Sequence, residues 1–295
     1  MSIAITGATG QLGRLVVEEL LRRGVASQDI VATGRNTDRL ADLAERGVRV
    51  RRADFADSGS LVQAFQGVRK VLIVSTTTVG ERYDNHVRAI DAAKDAGAEL
   101  IVYTSTLNAR TAGMMLADAR AKTEQYLRES GVPFLVLRNG WYLECYASQF
   151  PLYLETGVVP GSAGDGRVSA ASRRDYAAAA AAALVGEGHA GSVYELGGEN
   201  AFTLAELASA LSDASGRHVV YSDLPAEKYR AALSTPGCPP NSPKSSPTPT
   251  SGSSAASCSQ QRGSASVDRS PRDRSRRCAH RRTRILTRRQ PGSGR

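Results

Sequence analysis

Cysteine is nearly absent from the first 234 residues, where Cys145 stands alone. Cys238, Cys258 and Cys278 lie further on with no metal-like spacing, so neither a disulfide framework nor a metal site is expected. Long apolar runs are missing too. The longest, residues 177–185, is too short and too alanine-rich to cross a bilayer, so no membrane partner is expected. The start has no basic stretch before an apolar one and reaches glycine at Gly7, unlike a secretory signal. A soluble cytoplasmic protein is the expectation. The body also lacks an excess of either charge. The chain carries +9, but from Thr235 onward thirteen Lys and Arg face two Asp. The other 25 basic and 27 acidic residues leave the body at −2. A nucleic-acid partner therefore finds no support outside the tail.

What is present is organised around residues 2–23. Ser2-Ile3-Ala4-Ile5-Thr6 is a short β-type run. Gly7-Ala8-Thr9-Gly10-Gln11-Leu12-Gly13 follows, and then an amphipathic helix over residues 14–23. A strand, a glycine turn and a helix in this order make a phosphate cradle. Gly7 permits the sharp turn, Gly10 clears the approach of a pyrophosphate, and Gly13 lets helix and strand pack closely. The helix N-terminus offers free N–H groups to the anion. The spacing is G-x-x-G-x-x-G, and its context makes it a dinucleotide site: an apolar strand before, a helix after, a second strand at residues 30–33.

Apolar β-type runs then alternate with helical patterns. Strands are expected at residues 30–33, 48–52, 70–74, 100–104 and 134–137, and helices at 38–45, 60–65, 82–96 and 116–130. This alternation predicts a doubly wound parallel sheet of the α/β class, with strands covered on both faces. Residues 1–138 form the expected dinucleotide-binding domain. Residues 139–233 form a smaller α/β lobe: a helical aromatic stretch at 141–154, helix 173–184, strand 193–196, helix 204–215 and strand 219–221. Thr203 with Glu206 is a capping box. Residues 234–295 then change character. From Thr235 they hold eight of the twelve prolines and thirteen serines, with no Phe, Tyr, Trp or Met. They are read as a disordered basic tail, or as the product of a shifted reading frame.

Candidate chemistry sits at the strand ends. Arg35 follows the second strand, where an NAD enzyme places a carboxylate for the ribose. A guanidinium suits a 2′-phosphate, so NADP is favoured, unless Arg35 is simply a surface arginine. Asp54 ends the third strand and either faces adenine or serves as a loop carboxylate near a helix start, where Asp57 and Ser58 compete as the cap. Ser75, Thr76 and Thr77 end the fourth strand. Their hydroxyls either hold ribose and nicotinamide or cap locally. Asn139, Trp141 and Tyr142 follow the sixth strand, with Asn139 and Tyr142 as oxyanion donors and Trp141 as a wall for a planar substrate. The aromatic pair equally suits an ordinary lobe core. His86, on an alanine-rich helix, reads as a packed or solvated side chain. None of the ten tyrosines has Lys four residues on, so the Tyr-x-x-x-Lys proton donor of alcohol dehydrogenation is missing. An acceptor that needs no tuned acid fits better: a quinone, a dye cation or an activated alkene.

These features together resemble the NmrA-like branch of the atypical short-chain dehydrogenases, nearest the type-two NADPH:quinone oxidoreductases, with triphenylmethane reductase as a relative. The resemblance rests on the residues from Ile3 to Gly13, on Tyr103-Thr104-Ser105 and on Leu137-Arg138-Asn139-Gly140-Trp141-Tyr142. It continues through Ala163-Gly164-Asp165-Gly166, Asp175-Tyr176-Ala177-Ala178-Ala179 and Val193-Tyr194-Glu195-Leu196, and stops after Leu233. It implies a Rossmann-type fold with NADPH held by Gly7, Thr9, Gly10, Gln11 and Leu12. Arg35 would take the 2′-phosphate, and Arg173 would reach the cofactor. Ser75 to Thr77 and Asn139 to Tyr142 would line the nicotinamide and quinone region. In isoflavone-reductase relatives a lysine on the fifth helix is catalytic; the nearest register here gives Arg120 beside Lys122, so no role carries over. The expected function is hydride transfer from NADPH to a small planar quinone. The alternative is an NADP-binding redox sensor acting through a protein partner. A homo-oligomer is compatible with either.

Overall fold

The computed structural model describes residues 1–76, 78, 80–109, 115–233 and 285–290. Its first half is β1 (Ile3–Ile5), α1 (Gln11–Arg22), β2 (Ile30–Gly34), α2 (Ala41–Glu45), β3 (Arg49–Arg52), α3 (Ser58–Phe65), β4 (Lys70–Ile73), α4 (Arg82–Asp95), β5 (Leu100–Thr106), α5 (Met115–Glu129) and β6 (Phe134–Asn139). The second half is α6 (Leu143–Ala147), α7 (Phe150–Thr156), β7 (Val158–Gly161), α8 (Arg173–Val185), β8 (Ser192–Gly198), α9 (Leu204–Ser215), β9 (Val220–Asp223), α10 (Ala226–Leu233) and β10 (Ile285–Gln290).

The main sheet runs β3-β2-β1-β4-β5-β6-β8-β10. Its first seven strands are parallel. The chain steps outward from β1 to β3 and then crosses back to place β4 on the other side of β1. That reversal opens a crevice above the C-terminal ends of β1 and β4, the usual ligand position in such sheets. Strand residues alternate between two cores. Ile3 and Ile5 join Val16, Leu20 and Leu184 on the α1 and α8 face, whereas Ala4 joins Phe65, Ile90 and Leu127 on the α3, α4 and α5 face. Burial on both faces explains why the strands read as unbroken apolar runs.

Three segments depart from the sequence reading. Residues 193–196, expected in the lobe, are part of β8 and pair with β6 in the main sheet. Helix α8 lies on α1, its small residues Ala177, Ala180 and Ala181 allowing close approach. The boundary expected at 138/139 is thus not one in space. The lobe core is formed by α6, α7, β7, α9 and β9, around Tyr153, Val159, Leu204, Leu211 and Val219, and α10 follows β9. The expected helix over 141–154 is two helices, because Pro151 in the first turn of α7 has no N–H to continue α6. The Thr203–Glu206 capping box forms as read.

Most of the tail, and with it most of the disorder reading, lies outside the described residues. Within it Ile285–Gln290 is a strand, antiparallel to β8. It contains the tail's one Ile-Leu-Thr run and covers a β8 edge that would otherwise present unpaired backbone groups. No helix among the described residues is long and apolar enough to cross a membrane.

Candidate active site

The glycine turn is built as a cradle. Gly7 has φ +61°, which a side chain would strain, and its carbonyl accepts the Gly10 N–H at 2.9 Å. Ala8 N–H donates to the Thr33 carbonyl at 2.8 Å, pinning the turn to β2. A Cβ at Gly13 would stand 2.4 Å from the Gly7 oxygen, so only glycine lets α1 start this close to the strand. Gly10 caps α1 without a side-chain bond, and no acidic residue sits in the first turn. The N–H groups at this end therefore face no internal competitor, and the helix dipole adds positive potential. A phosphate fits this cradle. Gln11 is exposed at its mouth, whereas Leu12 is 7% exposed and packed in the core, leaving only its backbone for a ligand. Thr9 turns toward the end of β2, where a Cβ on Gly34 would stand 2.5 Å from its methyl group.

Arg35, just past β2, is exposed and makes no ion pair among the described residues. Nearby Arg14 is committed, pairing with Asp42 and donating to the Arg39 carbonyl at 3.2 Å. Asp54 resolves partly toward its local role: its carboxylate accepts the Ala56 N–H at 3.1 Å, while Asp57 caps α3.

At the neighbouring strand ends the structure gathers most of the other candidates. Ser75 N–H donates to the Thr104 hydroxyl at 2.9 Å. Thr76 N–H donates to Nε2 of His86 at 3.1 Å, and the Thr76 Oγ1 is buried with no partner among the described residues. Thr77 lies outside the described residues. Asn139 ends β6 at 4% exposure, and its Oδ1 is likewise buried without a partner among the described residues. Tyr142 pairs edge-on with Tyr176, ring centres 5.4 Å apart, and carries the Arg173 guanidinium 4.6 Å above its ring. Burial pushes the Tyr142 phenol up, against hydrogen bonding from Asn139 and the charges of Arg120 and Arg173. It is a neutral donor near pH 7. Arg173 N–H donates to Glu144 at 2.9 Å, and its guanidinium contacts Cys145 at 3.7 Å. Trp141 is partly exposed, and its carbonyl accepts the Ala171 N–H at 3.1 Å. Gly140 is needed beside it, since a Cβ would stand 2.7 Å from the Ser169 oxygen.

His86 is fully buried. Burial, then Arg120 and Arg82, lower its pKa to about 3, so the ring is neutral. Nε2 accepts from Thr76, which leaves the proton on Nδ1, 3.0 Å from the Thr123 hydroxyl and 3.2 Å from that of Tyr103. It is a packed side chain, as its sequence context indicated, and it holds the turn after β4.

Sequence reasoning missed the ionic cluster beneath the site. Arg138 grips Glu124 with Nε at 2.9 Å and a terminal nitrogen at 2.6 Å, and donates to Glu195 at 2.7 Å. Ser105 Oγ adds a bond to Glu124 at 2.7 Å. The one available signal was a charged residue continuing the apolar run of β6.

A doubly wound sheet with a glycine cradle at its switch point and unsatisfied polar groups at adjacent strand ends defines a dinucleotide-binding protein of the Rossmann class. Residues 1–242 match the NmrA-like family, and the chain belongs to it. It is 48% identical to quinone oxidoreductase 2 of Escherichia coli strain K12 over 80% of this chain and 82% of that one. The crystal structure of an Escherichia coli NADPH-dependent quinone oxidoreductase complexed with NADPH superimposes with a TM-score of 0.78 at 47% identity, covering 80% and 83% of the two chains. Triphenylmethane reductase of Citrobacter sp., complexed with NADP(H), gives 0.76 at 35% identity over 81% and 85%.

Proposed function

We propose that this chain is an NADPH-dependent oxidoreductase that reduces a small planar quinone in the cytoplasm. The observation that carries the reading is geometric. The unguarded N-terminus of α1 opens onto the same edge of the sheet as two buried oxygens with no partner among the described residues, Thr76 Oγ1 and Asn139 Oδ1. Buried polar atoms are ordinarily satisfied, and a bound ligand would satisfy these. Similarity to quinone oxidoreductase 2 supports the choice of acceptor.

Bound NADPH supplies the hydride. The α1 N–H groups hold its pyrophosphate, and Arg35 takes its 2′-phosphate. Thr76 and Asn139 orient the groups above β4 and β6. Trp141 offers a flat wall to the acceptor. Tyr142, neutral because it is buried, donates to the oxygen on which charge develops. Such a hydrogen bond stabilises the developing charge without the missing Tyr-x-x-x-Lys proton donor.

The direct test is NADPH oxidation by the purified protein with and without a small benzoquinone, no flavin or metal being added. Quinone-dependent oxidation is expected. Tight NADPH binding without turnover on several acceptors would return the sensor reading. Trp141→Ala should raise the quinone KM about tenfold and leave the NADPH Kd within about twofold, since one aromatic contact contributes on the order of 1 kcal/mol. Equal losses on both would remove Trp141 from the acceptor wall.

Arg35→Ala tests the cofactor assignment. A guanidinium about 4 Å from a phosphate charge gains on the order of 4 kcal/mol at an effective dielectric near 20, before solvation is subtracted. Arg35 is exposed, so only part of this survives, roughly a third. Binding titrations should show NADPH weakened about tenfold and NADH nearly unchanged. Parallel losses would reject the assignment.

A further inference from the structure

Arg82 and Arg120 stand on neighbouring helices, α4 and α5, and meet at the end of β4. Arg82 is 6% exposed and donates from Nε to the Thr76 carbonyl at 2.7 Å. Arg120 donates from Nε to the Ser75 hydroxyl at 3.3 Å. Two consecutive residues thus bring two cations to one strand end. No carboxylate lies within ion-pair distance of either among the described residues. Glu124, one turn beyond Arg120, is held by Arg138 and Arg128. Burial, and then repulsion from Arg120, hold Arg82 below the usual arginine range. The Arg120 charge also reaches Tyr142 after β6 and Tyr103 on β5. Its field therefore reaches β5 and the residues that follow β4 and β6, beside which the acceptor is to sit. Two cations gathered without a counter-ion make a place for an anion.

We propose that Arg120, backed by Arg82, is the catalytic cation that meets the acceptor oxygen, and that the pair selects neutral acceptors that become anions over acceptors already cationic. The inference rests on the hydride-transfer reading above. A quinone gains a hydride with its electron pair from NADPH, giving NADP and the hydroquinone monoanion, which then takes one proton from water. Negative charge appears beside Arg120 during the transfer, so the attraction grows toward the transition state. A triphenylmethane dye cation gains the same hydride at its central carbon and becomes neutral. For the dye the two arginines repel the ground state and gain nothing as it reacts.

The test uses 4-nitrophenol as an acceptor-sized probe whose absorbance reports its ionisation. With NADP present, the wild-type protein should bind it as the phenolate. Its ionisation should fall at a pH about one unit lower than in Arg120→Met, with Arg120→Lys between the two. NADP binding should be unchanged in both variants, which checks that they fold. In turnover, Arg120→Met should lower kcat/KM for benzoquinone about 10²-fold while leaving that for a cationic triphenylmethane dye equal or higher. Nitrophenol that fails to bind, or titrates alike in wild type and Arg120→Met, would overturn the proposal. Equal proportional losses on quinone and dye would overturn it too. A wild type that shifts nitrophenol as expected but shows no quinone turnover would support the cation site and reject the quinone reading alone.

Discussion

Arg138→Met should lower the unfolding free energy by about 3–5 kcal/mol, the cost typical of removing one partner from a buried ion pair. The reason is what it leaves behind. The Glu124 side chain has no exposure, and burial alone would raise its pKa. Bonds from Arg138 and Ser105 outweigh burial and hold the carboxylate ionised. Without the guanidinium, Glu124 keeps Ser105 and the more exposed Arg128, and Glu195 loses its ion-pair partner as well. Either the charge stays buried without its main partner, or the carboxyl takes up a proton. The double variant Arg138→Met with Glu124→Leu should recover most of the loss, because well-packed apolar groups often replace a buried pair at little cost. Urea denaturation of the wild type, both single variants and the double variant gives the cycle. A single-variant loss under about 1 kcal/mol, or no recovery in the double, would mean that the cluster does not hold β5, β6 and β8 together.

Most of the sheet was legible because its strands are buried on both faces. Residues such as Val71, Leu72 and Ile73 form unbroken apolar runs, and helical periodicity between such runs fixes the alternation. The cradle was legible because Gly7, Gly10 and Gly13 meet steric demands local to one turn. Placement across the chain was not legible. Val193 reads as a strand residue, but nothing in its neighbours says that β8 returns to β6 rather than joining the lobe. Arg138, Glu124 and Glu195 are separated by 14 and 57 positions, so their meeting is a product of the fold. Arg82 and Arg120 meet for the same reason, since α4 and α5 both pack on one face of the sheet. The Ile285–Gln290 strand could not be read from a composition that argues against any core.

Below pH 6.5 the folded state should lose stability through His86, at up to about 1.4 kcal/mol per pH unit. The native pKa is lowered to about 3, first by burial and then by Arg120 and Arg82, from an ordinary value of 6.5. A depressed histidine is neutral in the native state, while the unfolded chain takes up its proton as the pH drops. The stabilisation is complete above pH 6.5 and is lost progressively as the pH falls toward 3. Glu124, whose carboxylate pKa is lowered from 4.5, begins to contribute only below that value, so the interval from about pH 6 to 5 isolates the histidine. Unfolding free energies measured across this interval should fall steeply in the wild type and stay nearly flat in His86→Asn. Parallel profiles would show that His86 is not held neutral. The same titration reaches the site. Nε2 accepts the Thr76 N–H, and a protonated ring has no lone pair there to accept it. Charging the ring would release the turn that carries Ser75 and Thr76, next to the arginines bonded to both. Because the folded ring charges only near pH 3, activity should persist while stability falls from pH 6.5 and be lost only near that pH or with the fold itself, with recovery on return to neutral pH.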